Sequence, residues 1–281
     1  MFHLFFSMSF FILFIKATSE FEFSDLRAHE YWFYQIMTEC KSERIQAWDV
    51  APMSSLYPNI SNINVFYNST GSNIGYVAYN PQSNVVFMSF GGTHNIENWL
   101  EDFDALKINY DRCEGCEIHE GFAGAYGNLK DEILGAFLTL AHKFEEARKT
   151  IIGHSLGAAM ATLAFLDLGD IIHIDDFYTF GSPRVGNEKF TDFFNSKNQN
   201  TVKARITHYR DPVPHLAFSL MGYRHVDREV FYNENSTQFR VCGNNIEDPN
   251  CSLQFEIYEI DPNDHTSYMG FDLKPVKKNC A

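Results

Sequence analysis

The pentapeptide Gly153-His154-Ser155-Leu156-Gly157 sets one serine between two glycines. It follows the apolar run Thr150-Ile151-Ile152 and precedes the small-residue segment Ala158-Ala159-Met160-Ala161-Thr162. A serine hydroxyl is a weak nucleophile until the backbone presents it on a sharp strand-to-helix turn, next to a base and facing amide donors. Flanking glycines permit such a turn. The five-residue pattern alone arises readily by chance, and its setting gives it weight. Asn128 to Arg148 reads as a helix, 150–152 as a short strand, and Met160, Leu163, Ala164 and Leu168 recur at helical spacing. The chemistry implied is attack on an ester carbonyl by Ser155.

A serine nucleophile needs a base, and the base an orienting carboxylate; after a strand-turn-helix serine the chain order is acid, then histidine. Asp211 follows the strand-like run Arg205-Ile206-Thr207-His208-Tyr209 and precedes Pro212-Val213-Pro214. That places it at the end of a strand, where open α/β sheets carry their chemistry, although Asp before Pro also initiates ordinary turns. The downstream histidines are His173, His208, His215, His225 and His265. His265 is the last of them, beyond the alternating run Phe255 to Ile260 and the turn Asp261-Pro262-Asn263-Asp264; His215 and His225 have apolar neighbours suited to a pocket rim. His154 leaves the turn in another direction from Ser155 and is read as packing. For oxyanion donors, one amide comes from Leu156. Another comes from a loop after an earlier strand, and Gly91-Gly92-Thr93 after the buried-strand run Val85 to Phe90 is such a loop, or else a plain glycine turn.

The elements that position these groups are legible on either side. Beyond Thr93, Ile96, Trp99, Leu100 and Phe103 recur at helical spacing while Asn95, Glu97, Asn98, Glu101 and Asp102 fill the other face. Such a helix packs on a core or, beside an oxyanion loop, covers an apolar site as a lid. The 281 residues are 45% apolar, enough for one large α/β domain, and no repeat or linker divides them. Tyr232 to Ser252 is polar enough for an insertion or extended loop. Phe2 to Ile15 is an apolar run suited to the core of a signal peptide and too short for a membrane span. Cleavage is expected after residue 19, leaving 20–281 as a single domain without a transmembrane anchor.

Six cysteines lie beyond that cut: Cys40, Cys113, Cys116, Cys242, Cys251 and Cys280. An even number in an oxidising compartment favours disulfides. Cys113 and Cys116 with His119 resemble half a zinc site, but no second half completes it, so no metal or cofactor is expected. Sequons at Asn59, Asn68, Asn235 and Asn250 fit a secreted glycoprotein. A net charge of -14 argues against nucleic acid and strongly anionic membranes as partners.

Taken together, several ordered blocks resemble the class 3 (fungal-type) triacylglycerol lipase family, a branch of the α/β-hydrolase fold. They are Ser89-Phe90-Gly91-Gly92-Thr93 with Asn95-Ile96-Glu97-Asn98-Trp99, and Cys113-Glu114-Gly115-Cys116 with His119-Glu120-Gly121-Phe122. Then come the serine turn, Thr179-Phe180-Gly181-Ser182-Pro183-Arg184-Val185-Gly186-Asn187, His208-Tyr209-Arg210-Asp211-Pro212-Val213-Pro214, and Asp264-His265. The resemblance runs from about Tyr31 to the C-terminus. It implies a central, mostly parallel sheet flanked by helices with a short helical lid, and Ser155, Asp211 and His265 as the catalytic groups. It also implies Thr93 and Leu156 as oxyanion donors, Asn95 to Trp99 as part of the lid, and 181–184 as scaffolding. For the disulfides it implies Cys40 with Cys280 and Cys113 with Cys116, which leaves Cys242 with Cys251. Two positions depart from the family pattern: Gly91 stands where arginine is common and is expected to loosen the oxyanion loop or the lid hinge, and Ala158, where glycine is common, is a mild change.

The activity so implied is that of a secreted esterase acting on acylglycerol or another lipid ester at a lipid–water interface, in the extracellular space or the lumen of the secretory or endolysosomal pathway. Two alternatives share the fold: a lipid-binding pseudoenzyme, and a non-lipase carboxylesterase or phospholipase A1.

Overall fold

A computed structural model of the chain describes residues 22–68, 73–92, 104–226, 228–243, 247–256 and 258–280. The expected leader, Thr93 and the lid residues Asn95, Ile96, Glu97, Asn98 and Trp99 lie outside the described residues.

The core is an eight-stranded sheet whose strands follow one another in chain order. These are β1 (Ser61–Tyr67), β2 (Ile74–Asn80), β3 (Val85–Phe90), β4 (Arg148–His154), β5 (Asp176–Phe180), β6 (Val202–His208), β7 (Glu229–Tyr232) and β8 (Phe239–Val241). Strands β3 to β7 run parallel, while β1, β2 and β8 add antiparallel edges. Every residue of Val85–Phe90 is buried. The alternation explains this: Val86, Met88 and Phe90 enter one apolar cluster, Val85 and Phe87 another on the opposite face.

The first cluster is covered by α2 (Glu120–Gly127), α3 (Lys130–Lys143), α4 (Leu156–Gly169) and α5 (Glu188–Ser196), which contribute Phe122, Ile133, Phe137, Phe165 and Phe194. Parallel strands laid down in chain order with right-handed crossovers put their connecting helices on one face. The other face is covered by α1 (Asp25–Ile36) and α6 (Leu273–Cys280), through Tyr31, Trp32, Tyr34, Leu273 and Val276. α4 is buried over nearly its whole circumference, so its run of alanines lets it lie close to the sheet.

Three sequence expectations change at their edges. The helix read over Asn128 to Arg148 is α3 at Lys130–Lys143, and Arg148 already belongs to β4. The alternating run from Phe255 to Ile260 forms no strand among its described residues. Phe255 packs its ring on Tyr209 and on Phe231 of β7, whose free edge is already paired with β8. The polar stretch Tyr232 to Ser252 contains β8 itself, an antiparallel edge strand whose Phe239, Arg240 and Val241 are all exposed.

Disulfides join Cys40 to Cys280, Cys113 to Cys116 and Cys242 to Cys251, with Cα–Cα distances of 5.0, 5.5 and 6.3 Å. None of these sulfurs is left as a thiolate for a metal. Among the described residues no helix is long and apolar enough to cross a membrane.

The Cys40–Cys280 bridge spans 240 residues of sequence and ties α6 to the end of α1. Its removal by paired Cys→Ser substitution should lower the free energy of unfolding by about 2–5 kcal/mol. Urea denaturation of the two proteins at equal concentration measures the difference.

Candidate active site

The C-terminal ends of the parallel strands form one edge, and the groups singled out by their chemistry meet there. Phe90 of β3 is in register with Gly153 of β4, and His154 with Phe180 of β5. The residues following these strands, Gly91, Ser155 and Gly181, are therefore neighbours, and Asp211 follows β6 three residues beyond its end.

Ser155 is the hinge between β4 and α4. Its backbone sits at φ 56° and ψ -128°, a conformation that L-residues avoid at a cost of about 1–3 kcal/mol. Its amide is anchored to the Phe180 carbonyl at 3.1 Å, and its carbonyl accepts from Ala158 N at 2.9 Å. The glycines are demanded by contact. A Cβ on Gly153 would lie 2.2 Å from the Gly157 carbonyl oxygen, and one on Gly157 would lie 2.1 Å from that of Phe90. The Ser155 Oγ is buried and has no hydrogen-bond partner among the described residues. Leu156 opens α4, so its amide has no carbonyl acceptor within the helix and lies at the positive end of the helix dipole.

Asp211 is buried and accepts from three directions. His265 Nδ1 lies 2.9 Å from both carboxylate oxygens, Val213 N donates to Oδ1 at 2.8 Å, and the Tyr268 hydroxyl donates to Oδ2. Burial alone would raise the carboxyl's pKa. The His265 ring, with the Tyr268 and Val213 donors, outweighs it and holds the group below its ordinary value. Burial, and then the Asp211 charge, push Tyr268 well above the usual phenol value, so it remains a donor. With Nδ1 bound to the carboxylate, the other nitrogen, Nε2, is buried and without a partner among the described residues. The arrangement can take a proton from a hydroxyl at Nε2 while Asp211 steadies the resulting imidazolium. Gly181, at φ +52°, belongs to the same enclosure: a Cβ there would lie 2.7 Å from Asp211 Oδ2 and 3.0 Å from His265 Cε1.

His154 does more than pack. Its ring stacks on His265 at 4.4 Å between centroids, and its Nε2 lies 2.9 Å from the His265 carbonyl oxygen. A carbonyl only accepts, so the proton of neutral His154 sits on Nε2. Burial, then the neighbouring His265, lower the His154 pKa to about 3, which keeps this second imidazole uncharged. Tyr268 and His154 are the residues that motif reading missed as members of the site. The signal available for Tyr268 was its place three residues after His265, and for His154 its adjacency to Ser155.

Of the other downstream histidines, His208 is occupied and His173 lies elsewhere, while His215 Nε2 and His225 Nδ1 lack partners among the described residues. Both nitrogens of His208 contact backbone carbonyls, of Asp264 and Glu234, and His225 Nε2 contacts that of Pro214. His173 is exposed beside Asp175, which precedes β5 and so lies at the other end of the sheet. His215 is half-buried, with its pKa lowered by burial and by Arg184.

On the oxyanion side, Thr93 itself lies outside the described residues, but the chain leading to it is held. Gln35 donates to the Phe90 carbonyl at 2.9 Å and accepts from the Ser89 hydroxyl at 2.7 Å, and Gly91 N donates to the Ile74 carbonyl at 2.9 Å. A Cβ at Gly91 would meet Ile74 Cγ2 at 2.6 Å and Thr38 Cβ at 3.0 Å. Gly91 is thus the residue that this packing accepts, and the loop and lid hinge where loosening was expected continue beyond Gly92, outside the described residues. Gly92 passes so close to the nucleophile that a Cβ would lie 3.0 Å from that of Ser155.

Comparison with known proteins places this geometry in context. Residues 87–221 match the family model described as Lipase (class 3). The chain is 30% identical over 202 residues to a lipase of Rhizomucor miehei, covering 70% of this chain and 55% of the relative. To the secreted mono- and diacylglycerol lipase A of Penicillium cyclopium it is 34% identical over 158 residues, covering 56% of this chain and 51% of the relative. The chain thus spans about half the length of the curated relatives it matches. The solved structure of Rhizomucor miehei triacylglyceride lipase superposes with a TM-score of 0.82 at 25% identity, covering 89% of this chain and 96% of the other.

Two outcomes follow from the electrostatics of the site. Tyr268→Phe removes a hydrogen bond to a buried carboxylate and should lower the unfolding free energy by about 1.5–3 kcal/mol, read by denaturant titration. The second concerns acid. Folded His154, with a pKa of about 3, stays neutral where the unfolded chain takes up a proton below about 6.5, so stability is full above 6.5 and declines as pH falls from there towards 3. Asp211, with a depressed folded value, adds stability that is lost at still lower pH, below its ordinary 3.8 and through its folded pKa. His154→Asn should therefore show a shallower loss of stability between pH 6 and 4, by up to about 1.4 kcal/mol per pH unit. Equal slopes for the two proteins would refute the assignment of His154 as neutral.

Proposed function

The chain belongs to the class 3 lipase family, and on that premise we propose that it is a secreted serine esterase hydrolysing acylglycerol esters. In this reading residues 1–19 are a cleaved signal peptide and 20–281 a single α/β-hydrolase domain. Ser155 Oγ attacks the ester carbonyl as His265 Nε2 takes its proton, and Asp211 stabilises the imidazolium. The tetrahedral oxyanion is held by the amides of Leu156 and Thr93. The alcohol departs with the proton from His265, and water, activated by the same ring, then releases the fatty acid. Asn95 to Trp99 form part of a lid over the site.

One observation carries the reading. A strained serine at a strand–helix hinge has an unpartnered buried Oγ, at the same strand edge as a histidine whose Nδ1 is on a buried carboxylate and whose Nε2 is unpartnered. A buried polar atom without a partner costs about 1–3 kcal/mol, which an ordinary core does not tolerate twice in one place. The likeness to secreted mono- and diacylglycerol lipases supports an extracellular acylglycerol substrate at a lipid–water interface.

Fatty-acid release from a triolein emulsion, a diacylglycerol, a soluble short-chain ester and phosphatidylcholine tests this, with Ser155→Ala as the control. Serine-dependent release, highest on the acylglycerols, is expected, and the variant should lose about 10⁴-fold or more in turnover. Preference for the soluble ester or for phosphatidylcholine would redirect the assignment to a carboxylesterase or a phospholipase. A folded wild-type protein whose Ser155 resists an organophosphonate would be a lipid-binding pseudoenzyme instead.

A further inference from the structure

The loop that carries Asp211 is held at its far end by one buried side chain. Residues Val213–His215 form a single 3-10 turn. Its N-terminal side is fixed by Asp211 itself, through the bond from Val213 N to Oδ1 at 2.8 Å. A turn also leaves carbonyls unpaired at its C-terminal side, and these need donors when buried. Here four consecutive carbonyls are taken. His225 Nε2 lies 2.7 Å from the Pro214 oxygen. Arg184 takes the next three: its Nη1 donates to His215 O at 2.7 Å and to Ala217 O at 3.0 Å, and its backbone N donates to Leu216 O at 2.6 Å.

The remaining guanidinium donors face Glu247 as a fork, with Nε to Oε1 at 2.7 Å and Nη2 to Oε2 at 3.2 Å. The Arg184 side chain is 3% exposed, while that of Glu247 is 20% exposed. Glu247 lies inside the ring closed by Cys242–Cys251, and both ends of that ring are tied to one buried residue. Cys242 N donates to the Glu229 carbonyl at 3.0 Å, and Ser252 N to Glu229 Oε1 at 3.0 Å. The segment that carries Arg184 also begins at the site, since Gly181 lies against Asp211 and His265.

We propose that Arg184, held by its fork to Glu247, is the positioning residue for Asp211: it clamps the carbonyl end of the Val213–His215 turn whose amide end orients the carboxylate. The disulfide-closed ring at 242–251 is then a mount for the counter-ion. This assigns to Arg184 a role beyond the scaffolding of its turn. It rests on the reading of Asp211 as the acid partner of His265.

Turnover separates this from a bulk effect on folding. Lys keeps the backbone bond to Leu216 O but cannot form the fork and reach the His215 and Ala217 carbonyls at once, so Arg184→Lys should lower kcat on a soluble ester by about ten- to a hundredfold. KM should stay within about twofold of wild type, because the substrate contacts are untouched. Glu247→Gln keeps the side chain's shape, and its partly exposed position makes it the variant that folds if Arg184→Lys does not. It should lower kcat in the same direction by a smaller factor, and so should the Cys242→Ser/Cys251→Ser pair. Labelling of Ser155 by an organophosphonate should slow in parallel in each folded variant, with near-ultraviolet circular dichroism as the check on packing.

Folded Arg184→Lys and Glu247→Gln proteins with kcat and labelling within twofold of wild type would overturn the clamp, as would a loss confined to KM. A wild-type protein that is not labelled at all would instead overturn the catalytic reading, and the clamp with it.

Discussion

Everything at this site depends on how closely the β4–α4 hinge approaches β3. Gly157 lies against the Phe90 carbonyl and Gly153 against the Gly157 carbonyl, at separations that no side chain could enter. That contact brings the start of a buried helix up to the ends of two adjacent parallel strands. It forces Ser155 into a backbone conformation that a free chain avoids. It also presents the first amides of α4 to the space in front of the serine. The strain is local, and the burial of α4 on nearly all sides is what offsets it.

Given the hinge, the rest of the edge is arranged by strand order. Parallel strands put successive loops side by side, so Gly91, Ser155, Gly181 and the Asp211 loop become neighbours although they span much of the chain. The sheet therefore converts sequence order into spatial order, and this is why ordered motifs were informative. Ser155 and Asp211 could be singled out because each follows a readable strand, and His265 because the order of types is constrained by the chemistry, although the run before it forms no strand among its described residues. β3 was legible because a strand buried on both faces is apolar throughout.

What was not legible depends on contacts between residues far apart whose types carry no signal alone. Tyr268 is one more aromatic in a tyrosine-rich chain until its hydroxyl is seen on Asp211. Gln35 lies on a helix far upstream, yet its amide bridges Ser89 and the Phe90 carbonyl below the oxyanion loop. That Gly91 lies where a side chain would meet Ile74 and Thr38 was equally invisible, since those residues lie elsewhere in the chain. His154 was assigned to packing from the direction of its Cα–Cβ bond, which is correct as far as it goes. Ring stacking and the bond to the His265 carbonyl become visible only when the C-terminal segment is laid across the hinge.

The same edge shows how a buried carboxylate is kept ionised: the His265 ring, then the Tyr268 and Val213 donors, outweigh desolvation. Desolvation is the largest influence on Asp211 and acts to neutralise it. A lysine or arginine in contact would hold the charge, but it would also compete with the imidazolium that the acid is proposed to stabilise. Neutral donors avoid that conflict. Tyr268 and the Val213 amide supply hydrogen bonds and no net charge, while the permanent cation nearest in the argument, Arg184, is neutralised by Glu247 and spends its donors on backbone carbonyls. His154, stacked on the base, is likewise held uncharged. On the proposed mechanism, the charge arising on His265 would therefore be met first by the Asp211 carboxylate, which its Nδ1 already contacts.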